Sequence, residues 1–272
     1  MTRSRERLDA VAGTYRVPAD RLFTDIEQLL AAGLDAAFVH VPTNQHLPVV
    51  GRLLTAGVPV YVDKPLDNTL AGARQLVDQA ERADVLLRVG FNRRHVPAYE
   101  QARERPRDLI SVWKNEIDST GPVREIVFDD FIHVVDTLRF LLPGPVERTV
   151  VSGRVAAGDL HHVSLTLSGP GFTAVGSMHR LSGAKEERLE VTGDGAKLAV
   201  LDLDQVVVHQ AGTRTLRPAD GWSPVARRRG FEQVCTAFVD AVRAGAPDPV
   251  GLADALLTHE LCEQVVQQLE AR

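Results

Sequence analysis

Several things are scarce in these 272 residues, and each scarcity excludes something. There are two cysteines, Cys235 and Cys262, both in helical patterns near the C-terminus. A disulfide framework is therefore not the basis of the fold, and a reducing, cytoplasmic setting is expected. No apolar run approaches the ~18 residues that cross a bilayer, and the start, "MTRSRERLDAV", has no apolar stretch of the kind a signal peptide needs. Membrane partnership is not expected. Basic charge is not in excess either: Lys+Arg 31 against Asp+Glu 36 gives a net charge of -5, so there is no footprint for nucleic acid. The short run Arg227-Arg228-Arg229 reads as the solvated start of a helix. Among motifs, G-x-S-x-G and Walker loops are missing. So is G-x-G-x-x-G, the pyrophosphate turn of dinucleotide folds. Of the 21 glycines, those of "GDGAKL" (193–198) sit between two strand-like segments and read as a hairpin turn, and "GPGFTAVG" has the wrong spacing.

What is present is an ordinary soluble composition, 44% hydrophobic and 25% charged, long enough for one large domain or two modest ones. The first hundred residues alternate. "RERLDAVAGTY" is an amphipathic helix, "RLFTD" a short strand candidate, and "DIEQLLAAG" a helix closed by Gly33. Residues 35–41, "DAAFVHV", form an apolar strand of the doubly covered type. "LPVVGRLLTAG" is a helix, "VPVYVDK" a strand, "TLAGARQLVDQAERA" a helix and "DVLLRVG" a strand. That rhythm predicts a doubly wound parallel sheet. After about residue 105 the grammar changes. "DLISVWKNE" and "GPVREIVFDD" are strand-like, "DDFIHVVDTLRFLL" is a helix, and six segments between 147 and 210 carry period-2 character. Two helices, "RRGFEQVCTAFVDAVRAG" and "LADALLTHELCEQVVQQLEAR", close the chain. The expected architecture is α/β plus α+β. A truncated Rossmann-like unit spans 1–95. A mostly antiparallel sheet covered by helices spans 96–272, and the last helices are free to pack back on the first unit.

The chemistry begins with "VYVDKPLDN", residues 60–68. Ligands of open α/β sheets bind beyond the carboxyl ends of the strands. Lys64 stands there, with Pro65 fixing where it points, although a surface lysine at a strand end is the simpler reading of spacing alone. A second cluster lies in "FDDFIHVVDTLRFLL", where Asp129, His133 and Asp136 fall at i, i+4 and i+7 and share a helix face. An aspartate one turn before a histidine can orient the imidazole for acid–base work; a capping aspartate beside a partly buried histidine is the plainer alternative. The remaining histidines are weaker. His161 and His162 point to opposite faces of a strand. His259, Cys262 and Glu263 share a helix face with zinc-compatible types, but one helix alone supplies them, so core packing is preferred and no metal is expected.

These residues carry a resemblance. The chain resembles the Gfo/Idh/MocA oxidoreductase family (glucose–fructose oxidoreductase, inositol dehydrogenase and relatives) from about residue 5 to its end. "VDKP" is similar to that family's E-K-P motif, with Asp63 in place of glutamate, and "VPTNQH" to its T/N-P-x-x-x-H turn. "GFNRRHVPAY" resembles the segment leaving the nucleotide domain, and "DDFIHVVD" the D-x-G-x-H-x-x-D helix. "GFEQ…FVDAV" and "THELCE" resemble the closing helices. The resemblance implies hydride transfer between NAD or NADP and a small hydroxy or keto compound such as a sugar or cyclitol. His133 would be the general acid/base, Lys64 would polarise the reacting oxygen, and Asp129 would position substrate or imidazole. Arg94, with Asn92 beside it, would contact substrate, and Pro42, Thr43 and His46 would line the cofactor with Lys64. The family glycine of the D-x-G-x-H stretch is Phe131 here, a ring expected to narrow the site.

Aligned on that family, "RERLDAVAGTYRV" resembles the helix after the second strand, so the sequence starts about one βαβ unit, roughly 30 residues, late. The first strand, the glycine loop and the ribose carboxylate then have no counterpart, and residues 35–41 expose an apolar edge. Either "RLFTD" pairs with that edge or a partner chain covers it. Two further functions fit a cofactor site without its glycine loop. One is a cofactor-independent proton-transfer enzyme such as an isomerase, dehydratase or cyclase; the other is a non-catalytic partner subunit. Similar proteins commonly dimerise through the broad sheet of the second unit, so a homo-oligomer is expected.

Overall fold

A computed structural model describes residues 1–2, 4–219, 221–245 and 251–271. The chain opens with helix α1 (Arg5–Tyr15), whose first turn is capped by the Ser4 hydroxyl accepting from the Arg7 N–H. Helix α2 (Ile26–Ala31) starts the same way, with the Asp25 carboxylate accepting from Glu27 and Gln28. Strand β1 (Ala37–Val39), helix α3 (His46–Thr55), strand β2 (Val60–Val62), helix α4 (Leu70–Ala83) and strand β3 (Leu87–Val89) follow. The three strands form one parallel sheet in the order β1-β2-β3. The expected helix–strand alternation is therefore real, with one correction. "RLFTD" is not a strand: Ala19–Arg21 make a 3-10 turn, and no described strand pairs with the outer edge of β1. Phe38 on that edge is 43% exposed.

Helix α5 (Pro97–Arg103) leads into strand β4 (Leu109–Asn115). A second correction comes next. "GPVREIVFDD" is strand only at β5 (Gly121–Pro122); helix α6 (Val123–Ile126), a π-helical turn (Val127–Phe131) and helix α7 (Ile132–Leu141) then run on without a break. The apolar residues Val123, Val127, Phe128, Phe131 and Ile132 are all buried, which is helical and not alternating spacing. Strands β6 (Arg148–Ala156), β7 (Asp159–Gly169), β8 (Phe172–His179), β9 (Glu186–Gly193), β10 (Ala196–Leu201) and β11 (Gln205–Gln210) are those the period-2 segments predict; β12 (Thr213–Arg217) is additional. They join β4 and β5 in a nine-stranded sheet in which β4 runs parallel to β8 and the other pairs are antiparallel. Helix α7 lies on its buried face. There Gly176 is obligatory, because a Cβ would stand 2.5 Å from Val134 and 2.7 Å from Leu138.

After the short α8 (Val225–Arg228), helices α9 (Phe231–Ala244) and α10 (Leu252–Glu270) pack back on the first half; Arg272, at the end of the expected last helix, lies outside the described residues. α3 and α4 cover one face of the parallel sheet. α9 covers the other, where Val234 and Phe238 meet Tyr61. α10 runs between α4 and α7, so one apolar core is continuous across both sheets. Its polar seam is fixed by Arg94, which is 7% exposed. Arg94 donates to Asp136 (2.6–3.1 Å), itself 1% exposed, and to Asp254 of α10 at 2.5 Å. Removing one partner of a buried pair leaves an uncompensated charge. Asp136→Ala is therefore expected to cost about 3 kcal/mol of stability in urea unfolding. A loss under ~1 kcal/mol would show the pair adds nothing beyond packing.

Candidate active site

The site is built where the carboxyl ends of the parallel strands face the buried side of the large sheet. Directly after β2, the Asp63 carboxylate accepts the Lys64 N–H (2.9 Å), and the Lys64–Pro65 peptide is cis. The Lys64 side chain, 13% exposed, reaches the π-helical turn. Its Nζ donates to the Asp129 carboxylate at 3.0 Å and to the Asp129 carbonyl. The Asp129 side chain is 79% exposed, and a solvated pair of this kind contributes little to folding, about 0–1 kcal/mol. What it does is hold the ammonium in one place.

The π-helical turn decides where the neighbouring acids go. Asp129 meets Lys64, while Asp130 lies between Lys114 of β4 (2.5 Å) and Arg180, which follows β8. These two cations, with Lys114 the nearer influence, hold the Asp130 carboxyl below its usual range against the burial that raises it. Asp136, expected on the same face, is instead turned into the core with Arg94 and accepts from Thr258 at 3.0 Å. His133 stays with the site. Burial, then the charges of Arg93, Lys64 and Lys114, push its pKa well below the ordinary imidazole value. It is therefore neutral at pH 7, the form that accepts a proton.

The structure brings Lys64, Asp129 and His133 together as the sequence suggests, and it redistributes the rest. Arg94 is a core residue. The guanidinium beside His133 belongs to Arg93, whose terminal nitrogen lies 3.5 Å from Nε2. Arg93 is gripped by Glu187 of β9 (3.1 and 2.9 Å), and Glu187 also accepts from Tyr99 at 3.3 Å. Asn92, 1% exposed, accepts from Arg93 (3.1 Å) and donates to the Arg229 carbonyl (2.7 Å), so it supports the site from behind. Next to it Gly230, φ +77°, admits no Cβ, which would meet the Asn92 carbonyl at 2.2 Å. Phe131, in the π-helical turn between Asp129 and His133, is fully buried. In the 42–46 turn, Pro42 is exposed and Thr43 half-buried, at the surface beyond β1. His46 lies beneath them with its ring nitrogens 2.8 Å from the Pro65 carbonyl and 3.0 Å from that of Val41, tying the ends of β1 and β2 together. Sequence reasoning missed Arg93, Lys114, Asp130, Arg180 and Glu187. The doubled charges in "NRR" and "FDD" were the available signal.

His259, on α10, is buried as well. Its Nε2 accepts the Leu66 N–H (2.9 Å) and its Nδ1 donates to the Ala255 carbonyl (2.8 Å); burial lowers its pKa as well. Glu263 is paired with Arg124 at 2.7 Å. Both histidines are depressed on folding, so the unfolded chain binds more protons as pH drops through the ordinary imidazole value. Their stabilisation is complete above about pH 6.5 and is lost as pH falls toward the folded values. The melting temperature should therefore decline from pH 7 to 5.5, before the carboxylates titrate. A melting temperature flat or rising over that window in a thermal scan would refute this.

Known proteins resemble this chain along both of its parts. Residues 1–91 match the family model described as an oxidoreductase family with an NAD-binding Rossmann fold, and residues 97–211 match the YceM-like C-terminal domain. The chain is 32% identical to YceM of Salmonella typhimurium over 267 residues, 96% of this chain and 85% of that protein. It is 26% identical to an inositol 2-dehydrogenase of Rhizobium meliloti, again over 96% and 85%. Among solved structures, a dehydrogenase (MviM) from Clostridium difficile superposes with a TM-score of 0.91 at 28% identity, covering 97% of this chain and 88% of that one.

Proposed function

We propose a specific reaction from the premise that the chain belongs to the Gfo/Idh/MocA oxidoreductase family: reversible oxidation of a secondary alcohol on a sugar or cyclitol, with NAD or NADP as hydride partner. The observation that supports it best is the convergence of Lys64, Asp129 and a neutral His133 from two separate segments at the carboxyl end of β2. His133 takes the proton of the substrate hydroxyl. The Lys64 ammonium, aimed by Asp129, stabilises the oxygen as it gains negative charge and later polarises the carbonyl. In the reverse direction His133 returns the proton.

The residues present fit the nicotinamide end of a dinucleotide. Pro42 and Thr43 offer a surface at the end of β1 that His46 braces against the Pro65 carbonyl, and Lys64 adjoins it. When bound, the nicotinamide supplies the hydride acceptor or donor. The pyrophosphate end has no glycine-rich turn in residues 1–272. Titration calorimetry with NADH and NADPH, followed by a screen of sugars and cyclitols for a change in nicotinamide absorbance, tests the reading. One of the two cofactors should bind, and Lys64→Ala should weaken it. No binding at millimolar cofactor would overturn the proposal.

The same reading includes a homo-oligomer formed through the open face of the nine-stranded sheet, where Leu109, Val150 and Leu216 are 41–49% exposed. A second chain against the edge of β1 at Phe38 would be a separate contact. A cytoplasmic setting is supported by two free thiols, Cys235 and Cys262. None of the described helices is long and apolar enough to cross a membrane.

A further inference from the structure

The guanidinium of Arg93 is held more firmly than that of a substrate-seeking surface arginine. Two of its nitrogens form a fork on the Glu187 carboxylate, at 3.1 and 2.9 Å, and the third donates to Asn92 Oδ1 at 3.1 Å. Asn92 is anchored in turn on the Arg229 carbonyl, at the start of α9. The side chain is 13% exposed and its partner Glu187 equally so. With those bonds made, the nitrogen that holds Asn92 is also the one 3.5 Å from His133 Nε2. Arginine has donors and no acceptor, and it does not deprotonate in proteins. An N–H aimed at Nε2 is therefore compatible with one form of the ring: neutral, with the proton on Nδ1 and a bare lone pair on Nε2.

The other charges near the ring do not reverse this. From outside its helix, Lys64 and Lys114 repel an imidazolium. The anions that could favour one are engaged: Asp129 with Lys64, Asp130 with Lys114 and Arg180, Asp136 with Arg94, and Glu187 with Arg93 and the Tyr99 hydroxyl.

We infer that Arg93, clamped by Glu187 and Asn92, is a positioning residue that selects the Nδ1–H tautomer of His133 and presents Nε2 bare to the substrate hydroxyl. At 3.5 Å the contact is at the limit of a hydrogen bond, so a substrate hydroxyl displaces it at little cost. The meaning for catalysis rests on the reading of His133 as the proton acceptor; the tautomer itself does not.

The test uses the full chain labelled with 15N at its histidines, without cofactor or substrate, and long-range 1H–15N correlation spectra from pH 4.5 to 8.5. His133→Asn assigns the signal. The protein should show His133 as the Nδ1–H tautomer with a depressed midpoint. Arg93→Met should raise that midpoint by about one pH unit and mix the tautomers, and Arg93→Lys, which keeps the charge, should restore most of the depression. An Nε2–H tautomer in the unsubstituted protein overturns the inference even if no variant folds. So does an Arg93→Met spectrum that matches it. Kinetics separate this from the functional reading: turnover lost in His133→Asn with Arg93→Met spectrally unchanged sinks the inference alone. The expected spectra in a protein that oxidises no alcohol sink the reading alone.

Discussion

Lys64→Met should lower kcat by about 10²–10³-fold in both reaction directions, the range seen when one donor to a developing oxyanion is removed. Methionine keeps the length and apolar stem of the side chain, so the space between β2 and the π-helical turn stays filled. What disappears is the charge that Asp129 aims by its carboxylate and its carbonyl. The pair is too solvated on the Asp129 side, at 79% exposure, to contribute much to folding. The melting temperature should therefore stay close to that of the unsubstituted protein while turnover collapses. That dissociation is the informative result, read from steady-state kinetics beside a thermal melt. A kcat within a few-fold of the starting value would remove Lys64 from the chemistry and return it to the role of a strand-end lysine.

His133→Asn should cost about 10²–10⁴-fold, the usual contribution of a positioned acid–base group, and should also change the shape of the pH profile. Alcohol oxidation needs the bare imidazole. Because burial, Arg93, Lys64 and Lys114 hold the pKa well below its ordinary value, kcat/KM for oxidation should stay level through neutral pH and fall only on the acid side. Carbonyl reduction needs the protonated ring, so its rate should climb as pH drops toward the same value. The asparagine variant should lose both limbs. Retention of the acid limb in His133→Asn would assign it to another group. Asp130, whose carboxyl is held low between Lys114 and Arg180, would then be the first to examine.

How much of this was legible in one dimension varies from element to element. Helices with a capping residue and a closing glycine could be placed closely: Ser4 and Asp25 cap α1 and α2, and Gly33 and Gly57 stand at positive φ just beyond α2 and α3. These signals are local, set by backbone hydrogen bonds and steric rules within a few residues. The same holds for the strands from β6 to β11, whose period-2 alternation reflects one covered sheet face. "GPVREIVFDD" failed because so short an apolar run fits both periods; burial against α10 and the sheet made it helical. "RLFTD" has strand composition, but no described strand offers it a ladder.

By itself, then, the sequence determined the two-part architecture, the lysine at the end of β2 and the Asp129–His133 helix. Each follows from periodicity, caps or a strand terminus, and needs no distant partner. Only the tertiary structure decided which of two adjacent like residues would serve. Arg93 and Arg94 lie in one 3-10 turn and so point apart; Glu187 and His133 stand on one side, Asp136 and Asp254 on the other. Asp129 and Asp130 are divided in the same way by the π-helical turn between Lys64 and Lys114. A single residue step rotates a side chain by about 120° in a 3-10 turn and by less in the wider π turn, and the partner waiting in each direction is supplied by another segment of the chain, up to 160 residues away.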